Sequence, residues 1–445
     1  GVLNQDGKGA FDLRGATALS YGTFNINQNT DVTKEHSGVA NSIIGQANAT
    51  TDSNAAIIYG AGNTVTNSYR AIDASKFNLN KIKEDIAKKD AAAVAKDLQE
   101  AVPTSGGQVM VMGGGNSVDK AYMTQVTGVG NKVSGQDSTY AEGTSTQYNF
   151  VDGFQNELSN GKNDYIIGTN NKVSGDSVDK NQSNIIFGDN HKLTNQKNNV
   201  IIGSSDEVTE MAGSDAVSIG HNANAGGASV ALGSNAVAGG NALAVGPNAN
   251  AKNNSIALGI HASATSSQNL AIGYYANVTG RPDTIKNSVA LGSSSTVGEK
   301  DILSTDKEKG VLSIGAKDNE RRIIHVRAGV NDTDAVNVSQ LKSVQSGLTD
   351  KGLTFVTNDG EHTAKLGSKV TIQGTAKKPD HEYTADNLTT AIDKDGNITI
   401  FMDKDMSTEK LTVNGKDGKE GQPGTPGSIG INGQDGKAGI GIDGK

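Results

Sequence analysis

A glycine that returns at a nearly fixed interval constrains this chain more than any other feature. It stands at Gly45, Gly60, Gly113, Gly128, Gly143, Gly153, Gly168, Gly188, Gly203, Gly220, Gly233, Gly246, Gly259, Gly273, Gly292 and Gly315, and most steps are 13 to 15 residues. The surrounding residues keep the same phase. Apolar side chains stand three and one places before the glycine, as in Val230/Leu232, Ile256/Leu258 and Val289/Leu291. Three and five places after it come Asn and an aliphatic in early repeats (Asn63/Val65, Asn131/Val133), and two alanines in later ones (Ala236/Ala238, Ala249/Ala251). Period-two alternation on both sides reads as two short strands per repeat. The glycine between them marks a tight turn or a close backbone approach. Each repeat is thus one rung of a small β-solenoid, because self-similarity at a fixed period is the mark of stacked architectures.

Composition supports a thin, repetitive structure. Hydrophobic residues make up 34% and aromatics 4%, there is no Trp, and Gly accounts for 57 of 445 residues. Charged residues are only 20%, short of what keeps a chain disordered. The deficit is in bulky side chains. A rung of Val, Leu and Ala buries little area by itself, so the roll is expected to bury a second face against copies of itself. The absence of Cys excludes disulfides, thiol catalysis and Zn–Cys sites. A net charge of −8 argues against nucleic acid as the main partner. No run of apolar residues is long enough for a membrane-spanning helix. Gly1 opens no Met-plus-basic signal peptide, so the sequence reads as an internal piece of something longer.

The repeat is interrupted once on a large scale. Gly60 and Gly113 are 53 residues apart, and removing residues 68–105 restores a step of 15. That piece is rich in Ala and Lys, places Leu79, Ile82 and Ile86 on one face, and offers Asp90 as a helix cap. It predicts a helical insertion. After Gly315 the repeat stops. A short helix is expected over 334–347, with Val338, Leu341 and Leu348 spaced as in a coiled-coil seam. Strand-like alternation follows at 353–355, 369–372 and 397–401, with a hairpin turn at Asp395–Gly396. From Gly415 to Gly439 glycine recurs every third residue with only Pro423 and Pro426 as imino acids, which reads as a weak triple helix or a flexible joint.

Two stretches resemble a known family. Asn254-Ser-Ile-Ala-Leu-Gly259 and Asn287-Ser-Val-Ala-Leu-Gly292 resemble the head repeats of the YadA-like trimeric autotransporter adhesins, and Leu312 to Leu341 resembles their last head repeat and neck. The resemblance covers about 41–413. It implies a mainly β fold with a homotrimeric left-handed parallel β-roll head (41–315), a neck and short coiled coil (316–350) and a small β stalk domain (351–413); an N-terminal β segment (1–40), the helical insertion (68–105) and a Gly-rich collagen-like or flexible segment (414–445) are expected outside the resemblance. Val336, Val338 and Leu341 would be the trimer neck residues. The implied partners are the chain itself and an extracellular matrix protein, a glycan or another bacterial cell surface. The implied location is the bacterial surface, with an outer-membrane anchor supplied by a C-terminal barrel. Collagen-binding heads of the family carry Asn-Ser-Val-Ala-Ile-Gly-x-x-Ser. Asn287 to Ser295 matches it except for Leu291, making Asn287, Ser288, Ser293 and Ser295 the candidate ligand contacts. The competing reading places Val289 and Leu291 in the roll core and Asn287 in a turn.

Catalytic constellations are poor. The seven His are scattered, with no metal pair at i, i+4. His191, His221 and His261 fall just after the turn, where solvated side chains are expected. Gly113-Gly-Gly115 lacks the Lys and helix of a phosphate loop, and no Gly-x-Ser-x-Gly elbow precedes a helix. No catalytic residue, cofactor or metal is therefore predicted. Binding is expected to be spread over many similar rungs. The alternatives are a trimeric phage tail-fibre-like receptor-binding protein and, fitting less well, a β-solenoid polysaccharide-acting enzyme. The latter would need longer rungs and a groove of acids and aromatics.

Overall fold

The computed structural model describes residues 17–19, 25–34, 37–73, 75–76, 78–281, 284–305, 308–372, 379–380, 382–411 and 423. The chain divides into two units, residues 1–324 and 325–445.

The first unit is a parallel β-roll. Strands preceding the repeat glycines form a 16-stranded parallel sheet in sequence order, from Thr17–Leu19 to Leu312–Ser313. Strands following the glycines form a 9-stranded sheet from Ile26–Gln28 to Thr209–Glu210, then a 6-stranded sheet from Asn224–Ala225 to Thr296–Val297. Glycines stack in register: Gly113 on Gly128, Gly128 on Gly153, Gly153 on Gly168. Gly143 is skipped, so it heads no rung and lies in a loop between two of them. The roll also begins earlier than the repeat suggested. Thr17–Leu19 pairs with Ser42–Gln46, and Ile26–Gln28 with Ala49–Thr51.

The core is one residue out of step with the sequence reading. Residues three and one before the glycine face outward, and the residue between them faces in. Ile43, Val111 and Ile166 are fully buried, as are Ala231, Ala257 and Ala290 further along. Leu291 is instead 45% exposed, and Val289 is half-buried. Successive strand residues alternate faces. Here the outer face is also apolar, so alternation could not tell which face is the core. Rung length sets core size. Gly113 to Gly128 and Gly153 to Gly168 are 15-residue steps over a core of Ile and Val, whereas Gly220, Gly233, Gly246 and Gly259 are 13 apart over a core of Ala. The shorter perimeter leaves room only for a methyl group.

The backbone explains why Gly and Asn dominate. A Cβ at Gly168 would lie 1.9 Å from the Gly188 carbonyl oxygen, and its φ is +145°, so glycine is the residue that fits. Two residues on, the corner is left-handed in most rungs. Asn170, Asn190, Asn222, Asn235 and Asn248 hold it with φ between +54° and +63°, the region Asn tolerates best after Gly. A second Asn column runs inside the roll. Asn63, Asn116, Asn131 and Asn156 each donate from Nδ2 to the Oδ1 of the preceding member at 3.0 Å. They also donate to the next rung's glycine carbonyl at 2.7–2.9 Å. Every buried amide in this ladder thus has partners, which is the condition for burying it at all.

The insertion carries helix α1 (Leu79–Ala87) and helix α2 (Ala91–Ala101). Asn78 and Asp90 cap them, their side chains accepting from Lys81 N and Ala93 N at 3.0 Å each. The chain leaves the rung one residue later than spacing arithmetic placed it. Ser68 is buried, donates its N–H to Ser53 Oγ at 3.0 Å, and accepts at Oγ from Ala121 N at 3.3 Å. It re-enters at Gly107, whose N–H donates to Asn54 O at 3.1 Å.

The second unit holds helix α3 (Val338–Lys351) and two antiparallel hairpins, Leu353–Thr357 with Gly360–Ala364 and Leu388–Ile392 with Ile398–Met402. The helix starts four residues after the expected position because Asn337 is its cap. Asn337 Oδ1 accepts from Gln340 N at 3.0 Å and Gln340 Oε1 accepts from Asn337 N at 3.3 Å, a capping box. Asp334 instead holds a turn, accepting from Val330 N at 2.9 Å and Asn331 N at 3.0 Å. Residues 369–372 form no strand; Gly360–Ala364 takes the place beside 353–357. The Asp395–Gly396 turn is present, with Gly396 at φ +85°. The Gly415–Gly439 period lies outside the described residues.

Candidate binding surface

Three surfaces have the exposure that binding requires. The first is the outer face of the 16-stranded sheet. Ile57, Tyr59, Tyr165, Phe187, Ile202 and Leu291 all stand out from it. Large apolar residues recurring along one exposed sheet face, here interrupted at Gln125, Thr127 and Asp152, mark a candidate interface. The second is α3, in which no residue is buried. Val338, Leu341, Val344 and Leu348 are all exposed on it, and Val336 is exposed just before its cap. A helix whose seam is bare in one chain gains its stability from partners.

The third is the row of left-handed corners. Most present Asn or Gly, but His261 and Tyr275 hold the same corner at φ +56° and +54°. Their rings stack with centroids 4.5 Å apart and planes 16° from parallel. Tyr274 meets Tyr275 edge-on at 4.6 Å. Sequence reasoning passed over this cluster. The usable signal was a Tyr where the repeat puts Asn.

The motif residues Asn287 to Ser295 are brought together on one rung but point different ways. Asn287 is an exposed turn residue at φ +53°, its Nδ2 donating to Glu308 O at 2.8 Å. Ser288 and Ser295 are fully buried. Ser288 takes its N–H to Asn269 Oδ1 at 2.8 Å, and Ser295 donates from Oγ to Leu291 O at 2.9 Å. Ser295 Oγ also accepts from Arg321 at 3.0 Å, and the same guanidinium reaches the Ile314 carbonyl at 2.6 Å and the exposed Ser293 carbonyl. These serines close the last rungs of the roll, and of the four candidate contacts Asn287 and Ser293 are the exposed ones. Val289 and Leu291 are not core residues, as the preceding section shows.

The histidines also divide. His191 is buried, not solvated. It takes the next place in the Asn ladder, donating its N–H to Asn171 Oδ1 at 3.0 Å and its Nε2–H to the Gly203 carbonyl at 2.6 Å. Burial lowers its pKa below the usual imidazole range, which keeps it neutral. His221 is exposed beside Asp206 at 3.1 Å. Among the described residues no group of three or more His, Asp or Glu is placed to hold a metal.

The comparisons bear on this architecture directly. Residues 322–361 match the family model for the coiled stalk of trimeric autotransporter adhesins, the segment that carries α3 and the first strand of the first hairpin. Over that segment the chain is similar to the trimeric autotransporter adhesins. It is similar to autotransporter adhesin BadA of Bartonella henselae, with 32% identity over 112 residues, covering 24% of this chain and 3% of that protein. The chain therefore spans only a small fraction of that relative's length. It is also similar to the solved collagen-binding domain of the Yersinia adhesin YadA, at 24% identity and a TM-score of 0.26, covering 42% of this chain and 86% of that one. The comparisons favour neither the tail-fibre nor the polysaccharide-enzyme alternative.

Proposed function

We propose that this chain forms the head and upper stalk of a bacterial surface adhesin that works as a homotrimer. The observation that carries the reading is the pair of bare apolar surfaces, the outer sheet face and the α3 seam. Threefold association of parallel chains would cover both at once. In that arrangement Val338 and Leu341 would face the axis, with Val336 leading into it. Attachment would be to a matrix protein, a glycan or another bacterial surface. The repeated corners would supply many weak contacts, and joining three copies would raise their combined strength by effective concentration. Asn287 and Ser293 would contribute at the base of the head as two contacts among many.

The test compares the trimer with an enforced monomer, made by Leu341→Asp, for attachment to matrix-coated surfaces and to cells. The trimer should attach and the monomer should lose most of it. Equal attachment by folded monomers would refute the reading. An Asn235→Ala change at a regular corner should weaken attachment only slightly.

A further inference from the structure

The geometry points to a discrete carbohydrate-binding platform at the corner formed by His261, Tyr274 and Tyr275, taking the face of a neutral pyranose ring. The inference rests on the adhesive reading and names a ligand class for one place on the head.

Three observations carry it. Tyr275 is 47% exposed and Tyr274 53% exposed, in a protein with no Trp and few aromatics. Large rings are normally drawn into cores or interfaces, and here the adjoining core is built of Ala271 and Ala276, with no space for them. Tyr275 also occupies a left-handed backbone position, where a bulky residue is an outlier and Asn or Gly the rule. The equivalent corners at Asn235 and Asn248 show the easier solution, and Tyr275 is the bulkiest side chain held at this corner. A bulky residue kept in such a backbone position is a pointer to function. Finally, the stacking with His261 fixes the Tyr275 ring as a rigid plate. Rigid aromatic plates lose little entropy on contact.

The chemistry around the plate selects the ligand. The negative face of an aromatic ring attracts the axial C–H groups of a pyranose. Along the corner the plate is flanked by the exposed amide of Asn248 on one side and by Ser294 on the other. One rung is about 4.8 Å, so these polar groups sit where the hydroxyls of a stacked sugar would reach. None of the corner residues from Asn235 to Ser294 is Lys, Arg, Asp or Glu, and the nearby Arg321 guanidinium is already engaged by Ser295 Oγ and the Ser293 and Ile314 carbonyls, which favours a neutral ligand over a sialylated or sulfated one.

The experiment uses the trimer and three variants on surfaces bearing neutral oligosaccharides ending in galactose, N-acetylglucosamine or mannose, with sialylated counterparts alongside. Each protein is also melted, sized, and scored for attachment to cells. Tyr275→Phe should bind a neutral surface like the parent. Tyr274→Ala should weaken binding. Tyr275→Asn should lose about tenfold or more, the scale of an interface anchor, while keeping its trimer mass and melting at the same or a higher temperature because the strain is gone. Undiminished binding by Tyr275→Asn would overturn the proposal, as would retention only on sialylated surfaces. Loss of the trimer in Tyr275→Asn would also overturn it, making the cluster a subunit contact. Attachment of the parent to cells but to no glycan surface would sink the platform and leave the adhesive reading standing. No attachment to either would sink the adhesive reading itself.

Discussion

Replacing Asp164 with Asn should stabilise the head at neutral pH and flatten its dependence on pH. Asp164 sits four residues before Gly168, in a second internal column with Asn149, Asn184 and Asn199. It is fully buried. Its Oδ1 does what an Asn oxygen does, accepting from Asn184 N at 2.9 Å and Asn184 Nδ2 at 3.0 Å. Its Oδ2 has no partner. In flanking rungs the corresponding amide donates to a carbonyl of the next rung, Asn149 Nδ2 to Gly161 O at 2.8 Å and Asn184 Nδ2 to Gln196 O at 3.0 Å. A donor is what this place requires, and a carboxyl group supplies one only when protonated. Burial accordingly pushes the Asp164 pKa from 3.8 up to about 7, against the opposing hydrogen bonds from Asn184. The folded roll thus holds the proton more tightly than the unfolded chain does. Stability from this residue is complete below pH about 4, falls as pH rises, and levels off above about 7. At 1.36 kcal/mol per unit the full loss is about 4 kcal/mol per chain, and about 2 kcal/mol at pH 5. Denaturant unfolding followed by circular dichroism, from pH 4 to pH 8, reads this directly. Asp164→Asn should match the parent at pH 4 and exceed it by about 4 kcal/mol at pH 8. Parallel profiles for the two proteins would show that Asp164 is not desolvated in the folded roll.

Two further predictions follow from the rung geometry. Removing residues 69–106 and joining Ser68 directly to Gly107 should leave the roll folded, because a Cβ at Gly107 would already lie 2.0 Å from the Ser68 carbonyl oxygen; loss of the β signal in circular dichroism would show that α1 and α2 are needed by the core. Gly168→Ala should abolish cooperative folding of the roll, since the added methyl group meets the Gly188 carbonyl oxygen at 1.9 Å; a thermal melt within a few degrees of the parent would contradict the stacking described.

Much of this fold is legible in the repeat. Glycine spacing locates the strands, and the break between Gly60 and Gly113 locates the helices. What the sequence hides is which face is inside. Val289 and Leu291 look like core because they alternate, yet Ala290 between them is the buried residue, and only the structure shows that both faces of the sheet are apolar. Gly143 misleads for a different reason. A loop glycine happens to fall near the period, and nothing local separates it from a rung glycine. His191 was hidden by its residue type. A His is more often solvated than buried, and only its place in the Asn ladder shows that its Nε2–H substitutes for an amide. The aromatic corner was unread because a single Tyr–Tyr pair has no period, and its meaning comes from the backbone conformation it occupies. The capping box at Asn337 and Gln340 was readable, but the helical pattern extends back to Asp334, three residues before that cap.

The account depends on the outer sheet face and the α3 seam being covered by two further copies of the chain. The mass of the protein in dilute solution tests this most directly, by sedimentation equilibrium or light scattering at micromolar concentration. The account predicts about three times 45.7 kDa, with Leu341→Asp shifting the protein toward the single-chain mass by placing three like charges at the axis. A folded protein that sediments at 45.7 kDa, with both apolar surfaces left in water, would contradict it.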